Sequence, residues 1–298
     1  MTLEKAFDDF ILEKRVSGLA SSSISDYNFM LKGFLRSLGS CEVDSLSYEM
    51  IAEYILDLQK KPLKKATVAS YVRNIRIFLC WIDREIASLS FNPKKIKIPK
   101  VYKKKVHIYS DSDLAIIFDS IQNPVPWIED RNRAIVALML DSGIRQCELC
   151  GLLWKSINRS TMTIKVVGKG SKERMVRIGH LTLQYLDQYS ASCIYKDLPY
   201  VFVDIHGKQL SGNAVRLFTY KLQKELPFEF SSHKLRHNFA TNFCLDKLHR
   251  TGNSGVYDLS ILMGHESIET TRQYEHFAHE LVALEGCTSH IDNVFLKK

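Results

Sequence analysis

The stretch from residue 232 to residue 274 holds side chains whose types and spacing could do chemistry. It contains a His-Lys-Leu-Arg-His run, a Met-Gly-His turn and a Thr-Thr-Arg-Gln-Tyr run. His233 and Arg236 lie three residues apart in a segment with helical apolar spacing, so both side chains point to one face. With His265 and Tyr274 they form a set of one guanidinium, two imidazoles and one phenol, without a carboxylate. Such a set suits an anionic phosphodiester, attacked by a lone hydroxyl, better than a carbonyl or a sugar.

Two upstream segments extend this set. In Asp-Ser-Gly-Ile-Arg-Gln-Cys-Glu-Leu at 141–149, Arg145 follows a predicted helix stop at Gly143. Glu148 lies three residues on, where it can hold Arg145 or a histidine in place or form an ordinary surface ion pair. In the second segment, Lys169 stands between two glycines, which predicts a tight hairpin turn.

Taken in order, these segments resemble the motifs of the tyrosine recombinase (phage integrase) family, in its two-domain Xer- or Cre-like form. The residues on motif positions are Arg145, Lys169, His233, Arg236, His265 and Tyr274. The resemblance covers essentially the whole chain and implies a mainly α fold. An N-terminal four-helix core-binding (SAM-like) domain would precede a mixed α/β catalytic domain with a small antiparallel sheet.

The resemblance implies that the protein cleaves DNA through a 3′-phosphotyrosine. Tyr274 attacks phosphorus while His233 helps to take the phenol proton. Arg145 and Arg236 bind the non-bridging oxygens, where charge accumulates, and His265 donates to the same oxygens.

The same resemblance makes Lys169 the acid that protonates the departing 5′ oxygen. A 5′-hydroxyl from a partner duplex then reverses the step, so that strands are exchanged through a Holliday junction in integration, excision or dimer resolution. The implied partners are double-stranded DNA with an inverted-repeat core site and a homo-tetramer on paired sites, with monomers or dimers when free. Two alternatives stay open: a type IB topoisomerase-like enzyme and a non-catalytic DNA-binding relative.

Composition is consistent with a nucleic-acid partner. A length of 298 residues favours two domains, and a net charge of +8 favours a polyanion. Mean hydropathy is −0.13, no apolar run approaches the roughly 20 residues that cross a bilayer, and the acidic start is unlike a signal peptide. Seven scattered cysteines argue for a reducing cytoplasm, where the protein would associate with the nucleoid.

Two spacings suggest metal sites, and both are rejected. Cys147 and Cys150 form a C-x-x-C pair, but no second pair or nearby histidine completes a zinc set. His233 and His237 are spaced like the ligands of a zinc protease, yet Lys234 follows where that motif has its glutamate. The expectation is therefore that no metal and no cofactor is required.

Residues 1–90 predict the four-helix domain, because apolar positions recur at helical spacing and no strand-like alternation appears. Helices are expected over 2–15, from the capping serines at 21–23 to Leu38, after Ser47, and over 65–88. Arg73 and Arg76 can lie along a phosphate backbone or simply face solvent.

Residues 91–109 predict an extended, poorly packed linker, because two prolines accompany a run of like charges. Binding to neighbouring phosphates would relieve the repulsion and release counterions. A strap that tracks DNA is therefore favoured over a solvated linker, through Lys94, Lys95, Lys97, Lys100, Lys103, Lys104 and Lys105.

Residues 110–298 are the predicted catalytic domain, with a capped helix after Ser110 and an apolar helix over 129–141. Strands flank the hairpin, and a short strand over Tyr200–Val203 lies between helices at 180–192 and 212–225. Residues 246–256 predict a surface loop that leaves the site intact. The apolar tail after Leu281 would pack in cis or, as in the family, dock on a neighbouring subunit.

Overall fold

The computed structural model describes residues 1–101, 107–168 and 172–296, without the side chain of Asn293. The chain divides into two compact units, Met1–Lys104 and Lys105–Lys298. The described residues are mainly helical with one small antiparallel sheet, as the sequence predicts.

The first unit is built from four α-helices: α1 (Leu3–Val16), α2 (Ser21–Leu38), α3 (Tyr48–Lys60) and α4 (Lys65–Glu85). Ser47 caps α3 by accepting from the backbone N–H of Met50. The serine cap expected for α2 is wrong, since Ala20 occupies the N-cap position and makes no side-chain bond. The helices enclose an aromatic core with fully buried Phe10, Phe34 and Phe78, which removes large apolar areas from water.

The first half of the predicted linker differs from the expectation of poor packing. Ile96 is buried in the core of the first unit, Ile98 packs against that core, and Pro93 is also buried. These apolar residues alternate with the exposed side chains of Lys94, Lys95, Lys97 and Lys100. The segment therefore presents lysines to solvent from a packed base. Lys103, Lys104 and Lys105 lie outside the described residues.

The second unit contains α5 (Asp111–Asp119), α6 (Pro126–Ser142), α7 (Gln146–Cys150), α8 (His180–Ser192), α9 (Gly212–Glu225), α10 (Ser232–Thr251), α11 (Val256–Met263), α12 (Glu269–Glu285) and α13 (His290–Phe295). A capping box between Ser110 and Asp113 starts α5, as predicted. Helix α6 packs against α8 and α10. Its residues from 134 to 139 are all buried, so it forms the centre of the unit.

The sheet consists of β1 (Ile157–Asn158), β2 (Thr163–Val167) and β3 (Glu173–Arg177), in that order and antiparallel. The predicted hairpin strands are present, whereas β1 was not predicted. The strand predicted over Tyr200–Val203 is wrong. Its two ends form isolated bridges to different segments, with Leu153 and Gln209, so no continuous ladder can form.

The predicted surface loop over 246–256 is also wrong over its first half. Helix α10 continues to Thr251 and ends at Gly252, which is left-handed with φ 71°. The apolar positions Cys244 and Leu248 keep helical spacing and are buried, which explains the longer helix. Ser254, in the short link to α11, is buried and donates to the carboxylate of Glu275.

A small satellite core lies apart from the main core of this unit. It joins α10, α11 and α12 through Ala240, Cys244, Leu248, Leu259, Met263, Tyr274 and Ala278. Beyond it, α13 and its C-cap residue expose the apolar tail at Ile291, Val294, Phe295 and Leu296. None of the helices in the described parts of the chain is long and apolar enough to cross a membrane.

Candidate active site

The end of α6 positions the first arginine of the site. Gly143 ends the helix in a left-handed conformation with φ 60°, and a Cβ there would come within 2.2 Å of the ring of Phe239. Glycine is therefore required at this close approach. Arg145 follows as the N-cap residue of α7, and its side chain is one-third exposed.

Glu148 is an almost completely buried carboxylate that holds Arg145. Its Oε2 accepts the backbone N–H of Arg145 at 2.7 Å, and its Oε1 accepts from Arg145 Nη1 at 3.0 Å. Burial alone would raise the pKa of Glu148, but hydrogen bonds from Arg174 and from Arg145 outweigh it and hold the pKa below its usual range. Glu148 is therefore a buried anion rather than part of a surface ion pair.

Arg174 on β3 is a site residue that the sequence analysis missed. Its Nη1 and Nη2 donate to Oε1 and Oε2 of Glu148 at 2.8 and 2.7 Å, and its side chain is only 8% exposed. One signal was available: side chains alternate along a strand, so Arg174 shares a face with the buried Val176, two residues on.

Arg236 is buried on α10 and bonds to three acceptors. Its Nη1 donates to the carbonyl of Gly143, and its Nη2 donates to the carbonyl of Met263 at 2.7 Å. Desolvation, followed by the charge of Arg145, lowers the pKa of Arg236 to about 10, so the guanidinium remains charged at neutral pH. We call Arg145, Arg174, Arg236 and Glu148 the arginine cluster.

Three successive carbonyls at the end of α11 hold the three guanidinium groups. Arg174 Nε donates to Leu262 at 2.7 Å, Arg236 to Met263, and Arg145 Nη2 to Gly264 at 2.8 Å. The last carbonyls of a helix lack partners within the helix and carry partial negative charge. The end of α11 thus compensates in part for the repulsion among three like charges.

His265 follows these carbonyls and lies between Arg236 and Thr271. Arg236 Nη2 is 3.2 Å from His265 Nε2, and Thr271 Oγ1 is 2.7 Å from His265 Nδ1. Since a guanidinium can only donate, Nε2 is the acceptor and Nδ1 carries the proton. Desolvation and the charge of Arg236 lower the pKa of His265 to about 4. His265 is therefore neutral and its Nε2 is occupied by Arg236.

The ring of Tyr274, on α12, contacts two histidines. The ring centroids of His237 and Tyr274 are 5.3 Å apart, and those of His265 and Tyr274 are 6.5 Å apart. Tyr274 is 5% exposed, and this burial raises the pKa of its phenol to about 12. The phenol is thus fully protonated at neutral pH.

His237 was considered only as a metal ligand from the sequence, yet it links His233 to Tyr274. Its ring centroid lies 4.2 Å from that of His233. Its Nδ1 is the one buried side-chain nitrogen or oxygen of the described residues that has no hydrogen-bond partner. Desolvation, followed by the charges of His233 and Lys234, lowers the pKa of His237 to about 4. We call His233, His237 and Tyr274 the aromatic chain.

Lys169 lies outside the described residues, but the ends of its hairpin do not. The N–H of Gly168 donates to the carbonyl of Lys172 at 2.8 Å. A Cβ on Gly168 would be 3.4 Å from both Glu148 Oε1 and Arg174 Nη1. The stem of the hairpin therefore lies against the arginine cluster.

The basic residues predicted to bind DNA in the first unit lie on its surface. Arg73 on α4 is exposed, and Arg76 Nη1 donates to the carbonyl of Ile96 at 3.5 Å. Arg76 and Lys94 line an open cavity of about 450 Å³. The side chains of Lys14, Arg84 and Trp81 line the same cavity.

Within the described residues, no group of histidine, cysteine, aspartate and glutamate side chains could hold a metal ion.

Comparison with known proteins identifies the family. The sequence model of the phage integrase family matches residues 116–280. Tyrosine recombinase XerC of Psychromonas ingrahamii is 31% identical over 87% of this chain and 87% of its own length. Tyrosine recombinase XerD of Halalkalibacterium halodurans is 27% identical over 92% of this chain and 94% of its own.

A solved structure shares the fold. Lambda integrase (75-356), crystallised as a dimer bound to a COC′ core site, superposes with a TM-score of 0.72 and 17% identity over 92% of this chain and 95% of that one. The family match extends over more than half of the chain and includes all six motif residues, five of which lie in the described structure. The chain belongs to the phage integrase family, the tyrosine recombinases.

Proposed function

We propose that this site-specific tyrosine recombinase, a DNA strand-transfer enzyme, uses Tyr274 to form a 3′-phosphotyrosine with its target. The observation that supports the proposal most is the convergence of Tyr274, two histidines and the charged Arg236 within one connected set of contacts. In this arrangement a protonated phenol can attack a phosphodiester. Neutral imidazoles beside it can accept its proton, and buried guanidinium groups can stabilise the charge that develops on the phosphate oxygens.

The first step forms the Tyr274 Oη–P bond and breaks the bond from phosphorus to the 5′ oxygen. His233 accepts the phenol proton in this proposal, and His237 contacts the rings of both residues. Because both histidines have pKa values below the usual range, owing first to desolvation, they are neutral and able to accept a proton at neutral pH. Lys169 would protonate the departing 5′ oxygen.

Arg145 and Arg236 would bind the non-bridging oxygens. A guanidinium has five N–H donors, so donors remain beyond those engaged by Glu148 and the carbonyls. His265 would donate to the same oxygens only after its proton moves to Nε2. Thr271 permits this change, since its hydroxyl can accept from Nδ1–H or donate to a bare Nδ1.

The second step is the reverse reaction with a 5′-hydroxyl from a partner duplex. The phosphotyrosine ester preserves the bond energy, so the steps use no water, metal or nucleotide. Two duplexes that are each cut on both strands need four nucleophiles, which supports a homo-tetramer on paired sites. The exposed apolar residues of α13 would then dock on a neighbouring subunit.

The proposed target is double-stranded DNA with an inverted-repeat core site. The lambda integrase comparison structure is bound to a core site, and this chain carries a net charge of +8. Arg73, Arg76 and the lysines of the segment from Lys94 to Lys105 would contact phosphates, releasing counterions as they bind.

The test uses duplexes selected for binding from a library of randomised inverted repeats, each nicked near the cleavage position to trap the intermediate. Wild-type protein should form an SDS-resistant adduct, and Tyr274→Phe should abolish it while binding stays intact. Tyr257→Phe, on an exposed tyrosine of α11, is the control and should form the adduct normally. An adduct formed by Tyr274→Phe would defeat the proposal.

A further inference from the structure

We propose that Arg174 is a positioning residue for cleavage, which orients Arg145 toward the phosphate by sharing Glu148 with it. The inference rests on the proposed function, because it concerns the part that Arg145 plays there. Arg174 lies 26 residues from Glu148 in the sequence, so it reaches this carboxylate only because the chain folds strand β3 against α7.

The two arginines divide the carboxylate evenly. Oε1 accepts one bond from Arg145 Nη1 and one from Arg174 Nη1, at 3.0 and 2.8 Å. Oε2 accepts one bond from the Arg145 backbone and one from Arg174 Nη2, each at 2.7 Å. Each oxygen thus has one donor from each residue, and Arg145 cannot form a fork with both oxygens through its guanidinium.

Because Glu148 is shared between two arginines, it neutralises only part of the positive charge of Arg145. The remaining charge is available to a bound phosphate. Three guanidinium groups and one carboxylate leave a formal charge of +2 in the arginine cluster (3 − 1). Without Arg174, Glu148 would be a buried anion with Arg145 as its remaining partner. Arg145 would then be drawn into a full ion pair, because an unpaired buried charge is costly, and its guanidinium would turn from the phosphate.

A second contact fixes Arg174 and makes it more than a counter-ion. Its Nε donates to the carbonyl of Leu262 at 2.7 Å, two residues before the carbonyl of Gly264 that holds Arg145 Nη2 at 2.8 Å. Arg174 and Arg145 therefore share two anchors, the carboxylate and the end of α11. A Cβ on Gly264 would lie 3.1 Å from Arg174 Nη1 and 3.4 Å from Arg145 Nη1, so the two side chains are closely packed at this turn.

The experiment compares cleavage of an ordinary phosphodiester with that of a methylphosphonate at the same position. In a methylphosphonate a methyl group replaces one charged non-bridging oxygen, so less negative charge develops and a positioned guanidinium matters less. Arg174→Lys keeps the charge but cannot form the fork. We expect it to cleave the phosphodiester about 10–100-fold more slowly, the usual loss when a partner of a functional residue is removed, and the methylphosphonate at nearly the wild-type rate.

The matched control is Arg177→Lys, on the same strand but exposed and apart from these contacts. It should cleave both substrates at the wild-type rate. Arg145→Ala is the reference and should show the same substrate dependence as Arg174→Lys, with a larger loss. Thermal unfolding confirms that each variant is folded, and Arg174→Gln replaces the lysine variant if that one is not.

Suppose that Arg174→Lys loses the same factor in cleavage rate on both substrates, while the methylphosphonate restores the rate of Arg145→Ala. That result would overturn this inference and leave the proposed function intact. Equal losses for both variants would overturn the role of Arg145 in the proposed function and this inference with it. A wild-type rate for Arg174→Lys on the phosphodiester would show that Arg174 has no positioning role.

Discussion

The arginine cluster and the aromatic chain form two sides of one site, and they are held in different ways. In the arginine cluster, every guanidinium donates to a backbone carbonyl at the end of α11, and two of them share Glu148. In the aromatic chain the contacts are between rings, at centroid distances of 4.2 and 5.3 Å, and His237 Nδ1 has no partner among the described residues. In the proposed mechanism, charge stabilisation is therefore preorganised before DNA binds, whereas the groups that would move protons are placed by packing between rings.

This difference has a physical reason. Guanidinium groups must be in place before negative charge develops, since reorienting dipoles during the reaction would raise the barrier. A group that must accept a proton needs an unoccupied lone pair, and a strong hydrogen bond to that nitrogen would oppose its function. The unpartnered nitrogen is thus compatible with proton transfer, while an unpartnered arginine would not be compatible with a stable site.

The largest expected effect tests whether the arginine cluster is preorganised. Arg236→Lys retains a positive charge but cannot reach Gly143, Met263 and His265 together. Single-turnover cleavage should fall about 10²–10³-fold, the usual loss for one donor to a developing charge. Arg133→Lys, on α6 and paired with Glu129, should cleave normally. A loss below tenfold for Arg236→Lys would mean that charge suffices without the fixed geometry.

A smaller effect tests His265, which connects the two sides. Thr271→Val removes the hydroxyl that accepts from His265 Nδ1, with little change in shape. One hydrogen bond of about 1.4 kcal/mol corresponds to a tenfold change, so cleavage should slow about tenfold. The neighbouring Thr270→Val loses only a bond to the carbonyl of Ser267 and is the control. Equal rates for the two variants would show that the tautomer of His265 does not matter.

The third effect concerns the aromatic chain and appears in stability. The pKa of His237 is about 4 in the folded protein, against 6.5 for an ordinary histidine. The unfolded chain therefore binds more protons between these values, and the free energy of unfolding falls as pH drops from 6.5 toward 4. His237→Gln cannot titrate, so its loss of stability between pH 7 and pH 5 should be smaller by roughly 2 kcal/mol, or about 4–8 °C in Tm.

The control for this measurement is His276→Gln, whose side chain is 80% exposed. It should lose stability between pH 7 and pH 5 as the wild type does. The same pH dependence in His237→Gln and the wild type would show that His237 is accessible to protons in the folded state, contrary to its packing.

Local signals in the sequence predicted most helices and their ends. The stop at Gly143 and the capping box at Ser110 depend on a few neighbouring residues, and such short-range features can be recognised without a structure. The motif residues of the site were also recognised from short segments of sequence, because those segments resemble the motifs of a family. Their catalytic roles remain predictions.

Features that depend on distant partners were missed or wrong. Strand alternation could have placed Arg174 on the buried face of β3, but its partner Glu148, 26 residues away, is identified only in the folded structure. The segment from Tyr200 to Val203 has apolar residues typical of a strand, but its neighbours offer single bridges. Tertiary context decides both cases, because strand pairing and buried ion pairs join residues that are remote in sequence.

The satellite core has a consequence for how Tyr274 becomes reachable. Helix α12 packs on α10 and α11, and its buried residues belong to the satellite core rather than to the main one. Proteins open in cooperative parts whose free energies lie below that of global unfolding. Release of α12 is such a partial opening: it would expose Tyr274 while α6 and the sheet stay folded. The phenol of Tyr274, the proposed nucleophile, is thus covered by a part of the second unit that can open without disrupting the main core.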